Sequence, residues 1–331
     1  SADKKNITKV DLNQIAGAEL KKLNKFIIKN IKSEVPLIPL LSEHLLEAGG
    51  KRIRPILTIL SSKLFGYNYG DRHISLAACI EFIHMASLLH DDVVDESSMR
   101  RGRKSANRIW GNKASVLVGD YLFSKAFQIM VEDNDPLVLK ALSDATRFLA
   151  QGEVMQLSLV NNIDVSKDKY FKVIEDKTAR LFSAAAYIGG VISSTTSENL
   201  RNLSSYGKYI GTSFQILDDV MDYDVSNKSS GKKIGNDFKE GKVTLPILLA
   251  ISQSNQKEKN FWRRVIEKMD QQKEDFDIAL SIIEKYKCLE ESKLVAQEYS
   301  NKALNITSEF PTNIYNTTLT ELSTYVFNRS N

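Results

Sequence analysis

Apolar residues recur at helical spacing through most of this sequence, and this periodicity restricts the fold more than any other feature. Near the start it runs through Leu12, Ile15, Ala16, Leu20 and Leu23, which would lie on one face of an amphipathic helix. No segment shows convincing strand-like alternation. Only 16 glycines and 6 prolines occur in 331 residues, and this low content favours long helices over many turns. The sequence therefore predicts an all-α protein.

The breaks between helical stretches are mostly short. They fall at residues 35–39, 66–71, 132–136, 161–169, 193–198, 224–236 and 253–259. None resembles an interdomain linker, so we predict roughly ten or more helices in a single large bundle, with residues 1–331 as one domain. The stretch 224–236 is the longest polar loop and directly follows an acidic cluster, which makes it a candidate lid.

Charge and cysteine content exclude several classes of protein. The chain has 45 basic and 41 acidic residues and no long basic block, so we do not predict a nucleic-acid partner. Cys79 and Cys288 are far apart, which indicates neither a disulfide framework nor a cysteine metal site and fits a reducing compartment. The most apolar window, 181–194, is too short to span a bilayer. We therefore expect a cytoplasmic protein without a transmembrane segment.

The most informative segment is residues 80–103, which read IEFIHMASLLHDDVVDESSMRRGR. On a helix, Asp91 and Asp95 stand at positions i and i+4 and present two carboxylates on one face, with Asp92 beside them. His84 lies two turns earlier on nearly the same stripe. A shared stripe favours a functional His84, whereas His44, His73 and His90 lack this support and are interpreted as structural.

A second acidic segment, residues 214–223 (FQILDDVMDY), repeats this arrangement with Asp218, Asp219 and Asp222. Gln215 precedes Asp219 by one helical turn. A single DDxxD sequence is as often a solvated helix face as a binding site. Two copies, each preceded by an apolar helical run, favour a functional interpretation.

Carboxylates directed into one cavity from two helices would repel one another without cations. Mg²⁺ suits such a site because it is typically held by few protein carboxylates, with water and phosphate oxygens as the other ligands. A dedicated Zn²⁺ site would need histidines or cysteines that this chain does not cluster. The sequence therefore predicts Mg²⁺, with Mn²⁺ as a possible substitute, bridging to a phosphorylated substrate.

Fixed positive groups accompany both acidic segments, as diphosphate binding requires. Lys51 and Arg54 follow the glycine turn Gly49-Gly50 and lie at the start of a predicted helix, which is good geometry for an anion. Further candidates are Arg100, Arg101, Lys177 with Thr178, Lys232 and Lys242. Each of these cations alone is more often a solvated surface residue. Their position beside acidic motifs and glycine turns supports phosphate binding.

Several motifs together resemble the trans-isoprenyl diphosphate synthases. They are GGKRIRP (49–55), SLLHDDVVDESSMRRG (87–102), DKTARLF (176–182), FQILDDVMDY (214–223) and GKKIGNDFKEGKVTLP (231–246). They occur in the family's order and spacing, and the resemblance covers nearly the whole chain. It is strongest to the long-chain bacterial type, which makes octaprenyl or related diphosphates for quinone side chains.

This resemblance implies a helical bundle around a deep central cavity, acting as a homodimer. It implies that Mg²⁺ is bound by Asp91, Asp95, Asp218 and Asp222, with Asp92 and Asp219 in support. Isopentenyl diphosphate would be held by Lys51, Arg54, His84 and Arg101. The allylic diphosphate, with farnesyl diphosphate as the expected primer, would be held by Arg100, Lys177, Thr178, Gln215, Lys232 and Lys242. One departure is Asn236-Asp237, where many members have Asp-Asp, so we assign no metal role there.

The implied chemistry is ionisation of the allylic C–O bond, attack by the isopentenyl double bond on the carbocation, and loss of a proton. Lys177, Thr178 and Gln215 are the expected catalytic residues, with the oxygen dipoles of Thr178 and Gln215 stabilising the cation. Product length is expected to depend on Ala86 and Ser87, five and four residues before Asp91, where short-chain relatives carry an aromatic residue. Small residues there predict a product of about C35 to C50. Phe82, one turn deeper, is either a later obstruction or a core residue.

Three other functions are compatible with parts of the sequence. A class I terpene cyclase also uses an acidic helix motif and Mg²⁺, but it does not need the second-substrate set of Lys51, Arg54, His84 and Arg101. A regulatory subunit of a heteromeric synthase could lose its aspartate motifs, yet both are intact here. A helical scaffold remains the general alternative for an all-α chain.

Overall fold

The computed structural model describes residues 7–226 and 233–328. Within these residues the chain forms sixteen α-helices, and the predicted all-α fold is confirmed. In chain order they are α1 (Ile7–Asn30), α2 (Leu37–Glu47), α3 (Ile53–Leu64), α4 (Arg72–Val94), α5 (Ala106–Trp110), α6 (Asn112–Asp133), α7 (Pro136–Leu159), α8 (Lys167–Ile174), α9 (Arg180–Ile192), α10 (Ser197–Met221), α11 (Asn236–Lys239), α12 (Leu245–Gln253), α13 (Gln256–Trp262), α14 (Asp275–Lys285), α15 (Cys288–Ile306) and α16 (Ile314–Asn328). Two π-helical turns, Glu175–Ala179 and Arg263–Glu267, and a 3₁₀ turn, Thr307–Glu309, connect some of them.

A small β-hairpin follows α4, in a segment where no strand was predicted. Its strands, β1 (Met99–Arg100) and β2 (Arg103–Lys104), are antiparallel. The connecting residues Arg101 and Gly102 both have positive φ, 49° and 78°, as a two-residue type I′ turn requires. The strands are too short to show a period-2 pattern, so the Arg-Gly pair was the only local sequence feature that could have indicated a hairpin.

The chain divides into two compact units, each assembled from separated stretches. The first unit comprises the residues up to Thr146 together with Leu181–Gly207 and Asn305–Leu322. Helix α4 is central to it, because α1, α3, α5 and α6 all pack against it and its apolar side chains are almost all buried. Helices α3 and α9 approach closely at Gly189, where a Cβ would lie 2.6 Å from the carbonyl oxygen of Thr58. This glycine therefore has a packing role that no larger residue could fill.

The second unit comprises Arg147–Arg180, Lys208–Leu304 and the residues from Ser323 onward. Its core is formed where α12 contacts α8, α13 and α14. Trp262 is fully buried there, and its indole N–H donates a hydrogen bond to Ser254 Oγ at 3.0 Å. Asn255 and Glu258 form a capping box at the start of α13, which satisfies backbone donors that a helix N-terminus leaves unpaired.

The two cysteines form no disulfide. Cys79 and Cys288 are both buried free thiols. Burial raises the pKa of the Cys79 thiol far above its ordinary value, and it raises that of Cys288 to about 12. Neither thiol is therefore a reactive thiolate at neutral pH.

Two of the described helices, α4 and α6, are long and apolar enough to cross a membrane by length and composition alone. In α4, 78% of the apolar window is buried inside the protein, which accounts for its hydropathy as a core helix. In α6 only 39% of the window is buried. Its exposed apolar side chains include Val116, Leu117, Phe127 and Val131.

Candidate active site

The first acidic motif lies at the C-terminal end of α4, in the first unit. Asp91 and Asp92 belong to the last turn, and Asp95 is the C-cap residue, whose N–H donates to the carbonyl of Asp91 at 2.8 Å. This helical continuation preserves the predicted i, i+4 relation of Asp91 and Asp95. Both are partly exposed, whereas Asp92 is only 4% exposed.

Asp92 is bound by Arg100, which extends from β1. Arg100 Nε and Nη2 each donate to one carboxylate oxygen of Asp92 at 2.8 Å, the bidentate geometry that makes arginine–carboxylate pairs strong. Burial raises the pKa of Asp92, and Asp91 and Asp95 act in the same direction, while Arg100 opposes the shift. The hairpin is therefore tied to the motif by an internal ion pair that the sequence analysis did not foresee.

A cluster of positive side chains surrounds the same end of α4. Arg101 lies on the hairpin turn with its guanidinium against Gly50, where an added Cβ would be 3.3 Å from Nη1. The Arg54 guanidinium stacks over the Phe182 ring, with Cζ 4.6 Å from the ring centroid. Lys51 is exposed in the turn before α3. The structure thus places Arg101 beside the glycine turn that precedes Lys51 and Arg54.

His84 is a neutral member of this cluster. Its Nε2 lies 3.5 Å from Arg54 Nη1, and because arginine can only donate, the histidine nitrogen accepts. Burial lowers the pKa of His84 well below its ordinary value, and Arg54 and Arg100 lower it further. His84 therefore offers hydrogen bonds rather than a charge at neutral pH.

The other histidines contact partners inside the protein, as expected for structural residues. His44 Nε2 is 2.7 Å from the carbonyl oxygen of Lys104, and His73 Nε2 is 2.6 Å from Glu19 Oε2. The side chain of His90 binds the carbonyl oxygen of Val116 at 2.9 Å. These three contacts lie in the first unit.

Glu81 is a residue of this cluster that the sequence analysis missed. It lies on α4 one turn before His84 and is only 8% exposed. Burial raises the pKa of its carboxyl, while nearby Arg52, Arg54 and Arg101 oppose that shift. Its position directly after the apolar residues ACI (78–80) and before Phe82 and Ile83 was a usable signal, since an unpaired glutamate is almost never buried.

The second acidic motif lies at the C-terminal end of α10, in the second unit. Asp219 is 7% exposed and is held from both sides, because Tyr170 donates its hydroxyl to Oδ2 and Gln215 Nε2 donates to Oδ1 at 3.1 Å. Thr178 Oγ1 in turn donates to Gln215 Oε1 at 3.0 Å. Three residues of the predicted set are thus joined in one hydrogen-bonded chain, together with the unpredicted Tyr170.

Asp222 is held by the backbone of the segment after the polar loop. The N–H groups of Asn236 and Asp237 donate to its two carboxylate oxygens at 3.3 and 2.8 Å. Burial raises the pKa of Asp237 well above its ordinary value, and Asp222 and Asp219 add to the shift. Asp237 therefore belongs to this carboxylate cluster, although the sequence analysis gave it no role.

The Lys177-Thr178 pair stands on the π-helical turn between α8 and α9. Such turns are frequent at functional sites. Lys177 Nζ contacts Gln156 Oε1 at 2.6 Å and Glu153 Oε1 at 3.2 Å, both on α7. Helix α7 comes close because of Gly152, where a Cβ would be 2.9 Å from the backbone nitrogen of Lys177.

The buried carboxylate of Asp176 anchors this turn. It accepts from Lys172 Nζ and Arg180 Nε, both at 3.0 Å, and from Gln151 Nε2 at 3.3 Å. The acidic residue of DKTARLF thus positions its neighbours through internal contacts. Sequence spacing could have suggested two of these partners, since Lys172 and Arg180 are each four residues away on a helix.

The remaining predicted residues have varied surroundings. Lys242 is 12% exposed by its side chain and pairs with Glu240 at 3.0 Å. Lys232 lies outside the described residues, as does much of the candidate lid. Ala86 and Phe82 are fully buried on α4, and Ser87 Oγ donates to the carbonyl oxygen of His84 at 2.6 Å.

The donor set fits Mg²⁺ held jointly with a substrate. Among the described residues, no group of three or more His, Cys, Asp or Glu side chains is arranged to hold a metal ion alone. Mg²⁺ usually takes one or two carboxylates and completes its shell with water and phosphate oxygens. Burial raises the pKa of Asp92, Asp219 and Asp222, and neighbouring carboxylates raise the pKa of Asp92 and Asp219 further. A bound cation would offset this cost of holding the charged forms.

Comparison with known proteins shows which family this chain resembles. The polyprenyl synthetase family model matches residues 35–283. The chain is 40% identical over 321 residues to octaprenyl diphosphate synthase from Haemophilus influenzae, covering 97% of each protein.

Solved structures agree with this match. A decaprenyl diphosphate synthase from Rhodobacter capsulatus is 42% identical with a TM-score of 0.92, covering 97% of this chain and 98% of that one. A polyprenyl synthase from Caulobacter crescentus, solved with calcium and isoprenyl diphosphate, is 41% identical with a TM-score of 0.93 over the same shares. Because the family model and the relatives cover most of the sequence, the chain belongs to the polyprenyl synthetase family and is a prenyltransferase.

Proposed function

We propose that this enzyme condenses isopentenyl diphosphate with an allylic diphosphate, farnesyl diphosphate being the expected primer, to make a long all-trans polyprenyl diphosphate for quinone side chains. We expect products of about C35 to C50, with octaprenyl favoured. The observation that carries the proposal is the pair of aspartate motifs, each in one compact unit with cationic side chains, in a chain 40% identical to an octaprenyl diphosphate synthase.

Isopentenyl diphosphate is assigned to the cationic cluster of the first unit. Arg54 and Arg101 would supply charge and directed N–H donors, and Lys51 a more flexible charge. His84 would add a neutral hydrogen bond, because its lowered pKa keeps it uncharged. The buried Glu81 would help to keep these arginines assembled when no substrate is bound.

The allylic diphosphate is assigned to the metal-binding aspartates and a second cationic set. Asp91, Asp95, Asp218 and Asp222 are the proposed Mg²⁺ ligands, with Asp92 and Asp219 supporting them. The bound metal would neutralise the departing diphosphate as a Lewis acid. Direct contacts are assigned to Arg100, Lys177, Thr178, Gln215, Lys232 and Lys242.

The protein's part in the chemistry is to stabilise the charges that develop on the departing diphosphate and on the carbocation. When the allylic C–O bond breaks, Lys177 would bind the diphosphate oxygens, while the oxygens of Thr178 and Gln215 would face the carbocation. Attack by the isopentenyl double bond forms the new C–C bond. Loss of a proton to the released diphosphate then leaves the trans double bond, so no side-chain nucleophile is needed.

Metal dependence tests this proposal directly. Purified enzyme with labelled isopentenyl diphosphate, farnesyl diphosphate and Mg²⁺ should form labelled polyprenyl products, and excess EDTA should abolish their formation. Added Mg²⁺ or Mn²⁺ should restore it, because the carboxylates can hold a diphosphate only through cations. Undiminished turnover in excess EDTA would contradict the metal assignment.

The two diphosphate sites should separate in steady-state kinetics. Arg54→Ala should raise KM for isopentenyl diphosphate by about tenfold or more, since a charge-assisted contact contributes about 1.5 to 3 kcal/mol. Lys177→Ala should mainly impair use of the allylic substrate. Initial rates with each substrate varied in turn measure this difference. Equal changes in both substrates for both variants would refute the partition.

We also propose that the enzyme is a cytoplasmic homodimer. The support is the exposed apolar stripe of α6, where Leu117 and Val131 are 66% and 65% exposed and stand on one helical face with Phe127. A patch of this kind is expected to bury itself against a second surface. Sedimentation equilibrium distinguishes a dimer from a monomer.

A further inference from the structure

The hydroxyl group of Tyr170 occupies a central place in the hydrogen bonds of the second acidic motif. Tyr170 lies on α8, is 5% exposed, and donates to Asp219 Oδ2. The hydroxyl therefore joins α8 to the acidic end of α10 within the second unit.

These contacts restrict how Asp219 and Gln215 can be oriented. With Tyr170 on one oxygen and Gln215 Nε2 on the other, the carboxylate of Asp219 cannot rotate without losing a hydrogen bond. Because its amide nitrogen is committed to Asp219, Gln215 must direct Oε1 the other way, where Thr178 donates to it. The amide orientation thus follows from the carboxylate orientation.

We propose that Tyr170 is a positioning residue for the prenyl-transfer reaction, whose hydroxyl fixes Asp219 and, through it, the direction of the Gln215 carbonyl toward Thr178. The inference rests on the proposed role of the second acidic motif. Loss of the hydroxyl leaves a buried carboxylate beside Asp218 and Asp222 with one hydrogen bond fewer. It also allows the Gln215 amide to flip, which would present N–H groups where the reaction requires an oxygen dipole.

Tyr170→Phe tests this role because it keeps the ring and removes only the hydroxyl. Tyr223→Phe is the matched control, since Tyr223 is fully buried beside the same motif and its hydroxyl makes no hydrogen bond to any described residue. Two readouts are compared in the full-length protein: steady-state kinetics, and Mn²⁺ binding followed by electron paramagnetic resonance with inorganic diphosphate present. All measurements are made well below the lowest thermal midpoint of the series.

A positioning role predicts that Tyr170→Phe weakens Mn²⁺ binding and lowers kcat, each by about 10- to 100-fold, the range found for residues that orient metal ligands. KM for isopentenyl diphosphate should change less than about twofold, because that substrate is assigned to a different set of side chains, which includes neither Tyr170 nor the residues it positions. Tyr223→Phe should match the wild type in both readouts. Wild-type Mn²⁺ binding and kcat in Tyr170→Phe would overturn the proposal.

Asp219→Asn separates failure of this inference from failure of the site assignment. Loss of Mn²⁺ binding in Asp219→Asn with normal behaviour of Tyr170→Phe would reject Tyr170 alone. Wild-type Mn²⁺ binding and turnover in Asp219→Asn would reject the role of the motif itself. A packing role predicts a lower thermal midpoint in Tyr170→Phe with unchanged Mn²⁺ affinity, which also contradicts the proposal.

Discussion

Replacing Asp91 or Asp218 with alanine is expected to lower kcat by about 10³-fold or more, equivalent to about 4 kcal/mol of transition-state stabilisation. Each change removes a proposed Mg²⁺ ligand, and with it part of the charge that stabilises the departing diphosphate. Both residues are partly exposed, and each has like-charged neighbours. Removing one carboxylate should therefore relieve repulsion rather than unfold the protein. Single-turnover rates and circular dichroism measure the two effects.

Two further variants distinguish loss of a metal ligand from loss of a surface charge and from loss of stability. Asp144→Ala removes a carboxylate from the surface of α7, where its one ion pair with a described residue is to Lys140. It should leave kcat unchanged because exposed pairs contribute little. Asp92→Ala breaks the buried pair with Arg100 and should cost about 3–5 kcal/mol of stability. If Asp91→Ala unfolds as readily as Asp92→Ala, Asp91 is structural and the metal assignment is wrong.

Ala86→Tyr is expected to shorten the product from about C35–C50 to about C15–C20. Ala86 lies five residues before Asp91, or about 7 Å along the helix axis. A tyrosine there would fill the passage proposed for the growing chain. Separation of the dephosphorylated products by size measures the change.

The matched control is Ala86→Ser, which adds one atom and should leave product length unchanged. Since Ala86 is fully buried, a tyrosine also risks overpacking α4, so the thermal midpoint of each variant is measured alongside its products. A folded Ala86→Tyr enzyme that still makes the wild-type product would refute the open passage.

Much of the fold and the main motifs could be predicted from the sequence because they depend on local patterns. Helical periodicity predicted the all-α fold. The spacing of Asp91 and Asp95 predicted that both lie on the same face of a helix. Both signals act within one or two helical turns, where the side-chain direction follows from the backbone.

The contacts that hold the site together were not predictable in this way. Tyr170 is 49 residues from Asp219, and tyrosine in a helix is most often a packing residue. The pair between Arg100 and Asp92 was not expected either; it forms because the two-residue turn of the hairpin returns Arg100 to the end of α4. Such pairings depend on tertiary structure, for which a single sequence contains no periodic signal.

The proposed function is tested most directly by the product that the wild-type enzyme forms. Purified protein is incubated with labelled isopentenyl diphosphate, farnesyl diphosphate and Mg²⁺, and the products are dephosphorylated and separated by chain length. The proposed function predicts all-trans products of about C35 to C50, with the C40 octaprenyl species most abundant. No incorporation of label, or products that stop at about C15 to C20, would contradict it.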